Sequence, residues 1–217
     1  GSTEGEPICH IDGDELAASN ADGVDGVCAG RPTPGLRVKL LAATRGDVAL
    51  ADEVAVGEIV VAGAHVCDGY WKNDDAFARA KIRDDDGVVR HRTGDVGRFD
   101  DDGRLWIVGR VHTVVKRDGA TIFPVGVECA LRALPSVKRA AYVGVPDAAL
   151  GERAVVAIEL HGNAIAHDAD VRAACAACGV HVDDIAYFDE LPMDARHHAK
   201  FDGEQRRVRL VAPRTAA

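Results

Sequence analysis

The sequence predicts an α+β fold in two parts: a small distorted β-barrel or sheet, followed by a small α+β domain. In residues 26–71, short runs of alternating apolar residues are separated by Gly, Pro and Asp, which is typical of a small barrel or sandwich. After Gly109, strand patterns alternate with helix patterns, which indicates an independent α+β domain. We therefore expect a boundary at Gly109-Arg110, between residues 1–109 and residues 110–217.

The first part contains mostly strand signals. A turn of helix is expected at residues 14–18, and a short helix at residues 73–81 with Asn73 or Asp74 as its N-cap and Phe77 as its buried residue. A hairpin is expected around Asp101-Asp102-Gly103, because strand-forming residues flank this turn signal on both sides. The other strand signals lie at residues 37–41, 54–56 and 58–61, at Val66 and at Val88-Val89.

The second part begins with a hairpin that turns at Arg117-Asp118-Gly119. Pro124 opens a helix whose apolar residues share one face, and Pro135 ends it. Strands are then expected at residues 140–145 and 153–160, on either side of a Pro146-Asp147 turn. The remaining elements are a helix that Asp168 or Asp170 caps and Gly179 ends, and a strand at residues 185–188.

Charge and hydropathy limit the partners. The chain has 26 basic and 35 acidic residues and a formal charge of -9, so a basic footprint for nucleic acid is not expected. No apolar run approaches the roughly 20 residues that span a bilayer, so integral membrane association is not expected either. Because no signal peptide is recognisable, we predict a cytoplasmic protein.

The six cysteines are scattered along the chain, which does not indicate a disulfide framework. Cys175 and Cys178, with His181 shortly after them, can be read as metal ligands. A single Cys-x-x-Cys without a second pair is poor evidence for zinc, however. Because the pair falls in an alanine-rich run with helical character, we interpret both cysteines as small helix residues.

Thr93-Gly94-Asp95 places a carboxylate on a glycine turn just ahead of the predicted hairpin. A carboxylate held in this way can accept two hydrogen bonds at once, and the vicinal hydroxyls of a nucleotide ribose are natural donors. Gly109-Arg110 then breaks the second strand of the hairpin. The order of these features predicts a binding site followed by a hinge.

These motifs carry a family resemblance. They resemble, in order, the motifs of adenylate-forming enzymes, the superfamily of acyl-CoA synthetases, peptide-synthetase adenylation domains and luciferases, across almost the whole chain. Gly1-Ser2 can also be read as the remnant of a cleaved tag, but we interpret it as native sequence because the next residues continue the motif. The matching blocks are Gly1-Ser2-Thr3-Glu4, Gly57-Glu58-Ile59, Gly69-Tyr70-Trp71, Thr93-Gly94-Asp95, Gly109-Arg110, Lys116 with Gly119, and residues 191–200.

The resemblance implies that residues 1–109 end a large amino-terminal domain and that residues 110–217 form the mobile carboxy-terminal lid. It implies ATP, AMP and Mg²⁺ as cofactors and a carboxylic acid, expected to be a fatty acid, as substrate. Asp95 is expected to hold the ribose hydroxyls and Arg110 to lie near the ribose and phosphate. Thr3 is expected to bind a phosphate oxygen, Glu4 to bind Mg²⁺, and Lys200 to act as the catalytic cation.

Other positions match the family less closely. His112 occupies the hinge position, where Asp or Lys is common, and a hinge requires tolerant backbone angles rather than a particular charge. Lys116 and Gly119 are expected to bind cofactor, with Gly119 where the pantetheine arm of CoA enters. Ala199-Lys200 stands where family members often have Gly-Lys. Arg196-His197-His198 resembles a branch with β-lactone synthetases and fatty acyl ligases, and we assign His197 and His198 no role.

The resemblance also implies motifs that the chain does not contain. The family places a Ser/Thr/Gly-rich phosphate loop and the acyl pocket upstream of the Gly-x-Thr-Glu motif. We therefore expect a carboxy-terminal fragment of an acyl-activating ligase that is inactive alone, with CoA, a carrier-protein thiol or an internal hydroxyl as acceptor. The alternative is a non-catalytic module that binds a nucleotide or a protein. A third interpretation is a carbohydrate- or ligand-binding β-domain with an unrelated α+β tail.

Overall fold

The computed structural model describes residues 1–19, 26–42, 53–83 and 87–191, and the structural statements below refer to these residues. They divide into two units between His112 and Thr113. The division lies three residues beyond the predicted Gly109-Arg110 position. Backbone pairing explains the difference, because the hairpin strand continues to Arg110 and the Val111 N–H donates to the Gly94 carbonyl at 3.0 Å.

The first unit is built on a seven-stranded antiparallel sheet in the order β1-β2-β7-β6-β4-β3, with β5 paired to one end of β6. One apolar cluster, centred on Ile59, Val61 and Leu105, packs between the strands. The elements are β1 Cys9–His10, α1 Gly13–Ser19, β2 Val27–Pro32, β3 Arg37–Leu41, β4 Val56–Ala62, α2 Asp74–Ala80, β5 Lys81–Arg83, β6 Val89–Phe99 and β7 Leu105–Arg110.

The predicted hairpin is the β6–β7 pair, and Asp100 closes its turn. The Asp100 carboxylate accepts hydrogen bonds from the Asp102 and Arg104 backbone N–H groups at 3.1 and 2.8 Å, and from the Trp106 indole at 2.8 Å. Burial acts to raise the pKa of Asp100, but the hydrogen bonds from Trp106 and Arg104 outweigh it and lower that pKa below its ordinary value. The turn residue Gly103 has a φ of 73°, a conformation that favours glycine.

The second unit is a five-stranded mixed sheet in the order β10-β11-β8-β9, with β12 paired in parallel to β11. Helices α3 and α4 cover the core, where Leu131, Tyr142, Ile158 and Val171 are buried. The elements are β8 Val115–Arg117, β9 Ala120–Ile122, α3 Pro124–Arg132, β10 Val137–Asp147, β11 Gly151–Leu160, α4 Asp168–Ala177 and β12 Asp184–Phe188. Together the units confirm the predicted α+β class.

Several local predictions in the first unit need correction. Of residues 54–56, only Val56 belongs to a strand, while the Val54 N–H donates to the Leu40 carbonyl at 3.0 Å outside β4. Val66 lies in a bend instead of a strand. Asn73 is the N-cap of α2, as predicted, and its side chain accepts from the Ala76 N–H at 3.0 Å. Phe77 was expected to be buried but is only partly buried, and no residue of this short helix is fully buried.

Two predictions in the second unit also need correction. Pro146 and Asp147 are not a turn, because both pair with β11 at the end of β10. The N-cap of α4 is His167, while Asp168 and Asp170 lie in the first turn, where carboxylates stabilise the positive end of the helix. Cys175 is buried in the α4 core, as the helix interpretation required. Across the described ranges, no helix is long and apolar enough to cross a membrane.

Candidate functional site

The Thr93-Gly94-Asp95 turn is a bulge in β6. Glu58 of β4 pairs with Val96, and Val60 pairs with Arg92, so three residues of β6 lie opposite the single residue Ile59. Gly94 has a φ of 73°, which lets the bulge form without a side-chain clash. The Thr93 hydroxyl donates to the Ile59 carbonyl at 2.9 Å and accepts from the Asp95 N–H at 3.1 Å. Side-chain bonds thus replace ladder bonds in the bulge.

Glu58 lies behind this bulge and is only 4% exposed. Its Oε1 accepts from the Gly94 N–H at 3.2 Å, and its Oε2 accepts from Arg92 Nη2 and Nε at 2.6 and 3.0 Å. The sequence did not predict a role for Glu58. The one signal that could have indicated it is its place in the Gly57-Glu58-Ile59 block, since a glutamate within an apolar strand needs a buried partner.

Asp95 and Arg110 meet across the β6–β7 pair. They are register partners, and Arg110 Nε lies 2.7 Å from Asp95 Oδ1. Their side chains are 27% and 34% exposed, so both remain accessible to a ligand. Asp95 and Thr93 line one wall of a cavity of about 270 Å³, whose other residues are Gly1, Ile8, Cys9, Ala29, Ile59, Leu105 and Ile107. The predicted ribose-binding carboxylate therefore belongs to a residue that lines this cavity.

Glu4 lies in a turn that is closed by a hydrogen bond from the Gly5 N–H to the Ser2 carbonyl at 3.0 Å. Thr3 is exposed in this turn. The Tyr70 hydroxyl donates to Glu4 Oε1 at 3.0 Å, and His91 Nε2 lies 3.5 Å from Glu4 Oε2. Because His91 is on β6, four residues before Asp95, one strand connects the Glu4 turn to the Thr93-Gly94-Asp95 bulge.

Two buried basic side chains lie near Glu4, and the sequence indicated neither. Burial lowers the pKa of Lys81, whose ammonium donates to the Cys67 carbonyl and lies 5.4 Å from the centre of the Tyr70 ring. Burial also lowers the pKa of His91, and the positive charge of Lys81 lowers it further, while Glu4 acts in the opposite direction. Burial and the hydrogen bond to Glu4 raise the pKa of Tyr70 to about 12, so this hydroxyl is a donor at neutral pH.

Glu4 has the chemistry that a Mg²⁺ site at a nucleotide requires. Mg²⁺ in such sites takes hard oxygen ligands, typically one or two carboxylates together with phosphates and water. The Glu4 side chain is 29% exposed, so its oxygens are not sealed by the Tyr70 and His91 contacts. Within the described residues, no group of three or more His, Cys, Asp or Glu side chains could hold a metal ion. Glu4 can supply one carboxylate ligand to such a site.

In the second unit, Lys116 and Gly119 line an open cavity of about 500 Å³ at the β8–β9 turn. Asp118 and Gly119 form the turn with φ values of 49° and 77°, and the Asp118 N–H donates to the Leu150 carbonyl at 2.8 Å. The buried Glu152 carboxylate accepts from the Lys116 N–H at 2.7 Å. Lys116 and Gly119 thus lie on one hydrogen-bonded turn beside this cavity.

Arg117 fastens the same hairpin to the loop before β12. Its Nε and Nη2 donate to the two carboxylate oxygens of Asp183 at 2.9 and 2.8 Å. The Ala154 N–H also donates to Asp183 at 2.7 Å, and His181 lies 3.1 Å from it. The hydrogen bonds from Arg117, followed by the bond from Ala154, lower the pKa of Asp183 to about 2 despite burial. Asp183 is therefore ionised at neutral pH and fixes the hairpin.

The contacts of the described residues do not define the roles of two predicted site residues, Lys200 and His112. Lys200, with His197 and His198, lies outside the described residues. His112 is exposed and is the last residue of the first unit. Leu191 is the last described residue before the lysine segment, and its N–H donates to the buried Glu159 at 3.0 Å.

Known proteins resemble the chain over most of its length. No protein-family model matches it. An olefin β-lactone synthetase of Xanthomonas campestris is 34% identical over 226 residues, which cover 94% of this chain and 40% of that protein. The acyl-CoA ligase sidI of Aspergillus fumigatus is 32% identical over 154 residues, which cover 70% of this chain and 25% of the ligase.

Among solved structures, the amide bond synthetase McbA of Marinactinospora thermotolerans matches with a TM-score of 0.78 and 25% identity. The match covers 97% of this chain and 41% of that one. The chain therefore spans about two fifths of McbA and of the β-lactone synthetase, and a quarter of the fungal ligase.

Proposed function

Since the chain belongs to the adenylate-forming superfamily and matches the carboxy-terminal portion of its members, we propose that it is part of an ATP-dependent ligase. The ligase activates a carboxylic acid, which we propose to be a fatty acid. A carboxylate oxygen attacks the α-phosphorus of ATP, the bond from that phosphorus to the bridging oxygen breaks, and pyrophosphate leaves. The acyl-adenylate then transfers its acyl group to an acceptor and releases AMP.

The first step brings two anions together, so catalysis depends on positioning and on neutralising charge. We propose that Lys200 supplies a positive charge at the acyl oxygen and the α-phosphate, because an ammonium on a flexible stem can reach both. Arg110 supplies a second positive charge near the ribose and the phosphate. Its 2.7 Å contact with Asp95 holds the guanidinium next to a residue that lines the first-unit cavity.

Asp95 provides the most direct support. Its carboxylate is held on a bulge at a cavity wall, with its backbone fixed by Thr93 and its side chain oriented by Arg110. A carboxylate in this position can accept hydrogen bonds from both hydroxyls of a ribose. We propose that Asp95 binds the ribose of ATP and of the acyl-adenylate. This contact would hold the α-phosphate in position for attack by the carboxylate of the acid substrate.

We propose that Glu4 holds the Mg²⁺ that accompanies ATP, and that Thr3 donates to a phosphate oxygen. Mg²⁺ would neutralise charge on the phosphates as pyrophosphate departs. Tyr70 and His91 orient the Glu4 carboxylate from two sides, which reduces the conformational entropy that Glu4 loses when it binds a metal. Thr3 is exposed next to Glu4, so its hydroxyl can reach the same group.

For the second step, we propose that Lys116 and Gly119 contact the acceptor when it is CoA. The turn that carries them borders a cavity of about 500 Å³, and Gly119 lacks the side chain that would obstruct a pantetheine arm. The name of the β-lactone synthetase relative suggests an internal hydroxyl as the competing acceptor. We also propose that His112 is the hinge between the end of a large domain, which precedes it, and a mobile domain, which follows it. A cytoplasmic location is a further part of the proposal.

The test is pyrophosphate release with Mg-ATP and carboxylic acids from two carbons to long-chain fatty acids, including 3-hydroxy acids. We would compare the 217-residue chain with the same chain extended by its upstream reading frame, and with the extended Asp95→Ala variant. We expect release by the extended protein only, and at least roughly a hundredfold loss in the variant. CoA-independent lactone formation from a 3-hydroxy acid would identify the internal hydroxyl as acceptor.

Two outcomes would overturn this function. Pyrophosphate release by the 217-residue chain alone would show that ATP and the acid bind within these residues, against the proposed division. If neither protein releases pyrophosphate with any acid and AMP still binds, the result would favour the non-catalytic nucleotide-binding module.

A further inference from the structure

The bulge that carries Asp95 depends on a carboxylate that lies behind it. Because Thr93-Gly94-Asp95 leaves the β4–β6 ladder, the Gly94 N–H has no strand partner on β4. The N–H donates instead to Glu58 Oε1 at 3.2 Å. Gly94 is partly buried, and an N–H shielded from water without an acceptor is unfavourable, so an acceptor at this position stabilises the bulge over a regular strand.

Arg92 makes it feasible to place a charged acceptor there. A carboxylate that is 4% exposed is stable only when it is paired and hydrogen-bonded. Both Arg92 bonds go to Oε2, at 2.6 and 3.0 Å, while Oε1 accepts from Gly94. The two oxygens thus have separate tasks: one is neutralised by a cation, and the other holds the backbone. Arg92 is the residue immediately before the bulge, so the pair also fixes where the bulge begins.

We propose that Glu58 is a positioning residue for Asp95. By holding the Gly94 N–H, it sets the backbone conformation in which the next residue directs its carboxylate to the cavity edge and to Arg110. The binding consequence rests on the proposed function, in which Asp95 accepts the ribose hydroxyls. A displacement of about 1 Å in such a group is enough to weaken a ligand interaction by one to two orders of magnitude.

The variant Glu58→Gln separates the two tasks. An amide has one acceptor atom, so it cannot accept from Arg92 and Gly94 with separate oxygens. The charge-assisted bond to the guanidinium is stronger, so we expect the carbonyl to turn to Arg92 and the amide NH₂ to face the Gly94 N–H. The double variant combines Glu58→Gln with Arg92→Gln. The side-chain carbonyl introduced at position 92 can accept from the NH₂ group introduced at position 58. The side-chain carbonyl at position 58 can then accept from the Gly94 N–H again.

The readouts are amide hydrogen exchange at Gly94, measured by NMR on the 217-residue chain, and AMP affinity, measured on the same chain extended by its upstream reading frame. In E58Q, we expect Gly94 protection to fall at least roughly tenfold and AMP affinity to fall about tenfold, with the exchange of other β6 and β7 amides unchanged. The double variant should recover most of both. Glu53→Gln is the matched control, because Glu53 is an exposed carboxylate paired with Lys39 at 2.8 Å, and no change is expected there.

Glu58→Asp carries the same test if E58Q does not fold. It keeps the charge opposite Arg92 and shortens the reach toward Gly94, so Gly94 protection should again fall. Unchanged Gly94 protection in either folded variant, or lost protection with unchanged AMP affinity, would overturn the proposal. If the unmodified extended protein does not bind AMP, the ribose role of Asp95 fails separately, and the exchange data still decide whether Glu58 holds the bulge.

Discussion

Two buried carboxylates, Glu58 in the first unit and Glu159 in the second, are built in the same way. Their residues are 4% and 1% exposed. Each accepts from an arginine, Arg92 or Arg139, and each accepts from one backbone N–H. Glu58 holds Gly94 at 3.2 Å, and Glu159 holds Leu191 at 3.0 Å. In both units, a buried charge fixes a stretch of chain that the sheet hydrogen bonds do not fix.

The two carboxylates differ in how far they lie from the proposed chemistry. Gly94 directly precedes Asp95, so Glu58 controls a site residue through one peptide bond. Leu191 precedes Lys200 by nine residues, so Glu159 fixes only the start of the segment that carries the proposed catalytic lysine. Glu159 has two cations, Lys138 at 2.6 Å and Arg139 at 3.0 Å. The difference indicates that Glu58 serves geometry, whereas Glu159 serves mainly stability.

The largest effect is expected for Glu159→Ala. It leaves Lys138 and Arg139 without their carboxylate and the Leu191 N–H without its acceptor, so the second unit should lose about 3 kcal/mol of unfolding free energy. Circular dichroism during urea denaturation would measure the loss. Both tryptophans, Trp71 and Trp106, lie in the first unit, so their fluorescence is an internal control and should not change. A loss below about 0.5 kcal/mol would contradict a stabilising role for Glu159.

Acid should act on the same group with a somewhat smaller effect. Burial acts to raise the pKa of Glu159, but the Leu191 N–H and the bonds from Lys138 and Arg139 outweigh it and lower that pKa from 4.5 to about 2. Because the folded pKa is the lower one, this stability is present above pH 4.5 and is lost as the pH falls toward 2.

The two cations are partly exposed, so solvent reduces the expected loss to about 2 kcal/mol. Urea denaturation at a series of pH values would measure it, and Glu159→Gln should remove this part of the pH dependence. Asp183, with its pKa of about 2, should retain its own contribution in that variant. An unchanged pH profile in E159Q would contradict the assignment.

The comparison also explains what the sequence could predict. Local signals were sufficient for the β6–β7 hairpin, for α3 between its prolines and for the order of strands and helices in the second unit. Element ends depended on partners distant in sequence: β10 continues through Pro146 because β11 pairs with it. The bulge at Gly94 and the burial of Glu58 and Glu159 were not predicted, because a glutamate in a strand pattern is usually an exposed residue. Their partners become visible only after the strands pair.

A smaller effect is expected for Thr93→Val. The substitution removes the hydroxyl that bonds the Ile59 carbonyl at 2.9 Å and the Asp95 N–H at 3.1 Å, and it keeps the side-chain shape. We expect a loss of about 1 kcal/mol from the first unit, measured by tryptophan fluorescence in urea. Glu58 should still hold Gly94, so Gly94 exchange should stay slow while Asp95 exchange accelerates. Equal acceleration at both amides would show that Glu58 does not act independently of Thr93.

The smallest effect on stability is expected at the residue with the largest proposed role in binding. The Asp95–Arg110 pair is partly exposed, so Asp95→Asn should change the unfolding free energy by less than about 1 kcal/mol. The AMP affinity of the upstream-extended protein should nevertheless fall at least roughly tenfold, because an amide cannot accept from both ribose hydroxyls with two oxygens. Asp102→Asn is the control, since Asp102 is an exposed turn carboxylate that contacts Arg104. A loss of several kcal/mol in Asp95→Asn would instead make Asp95 a structural anchor like Glu159, and the distinction between geometry and stability would fail.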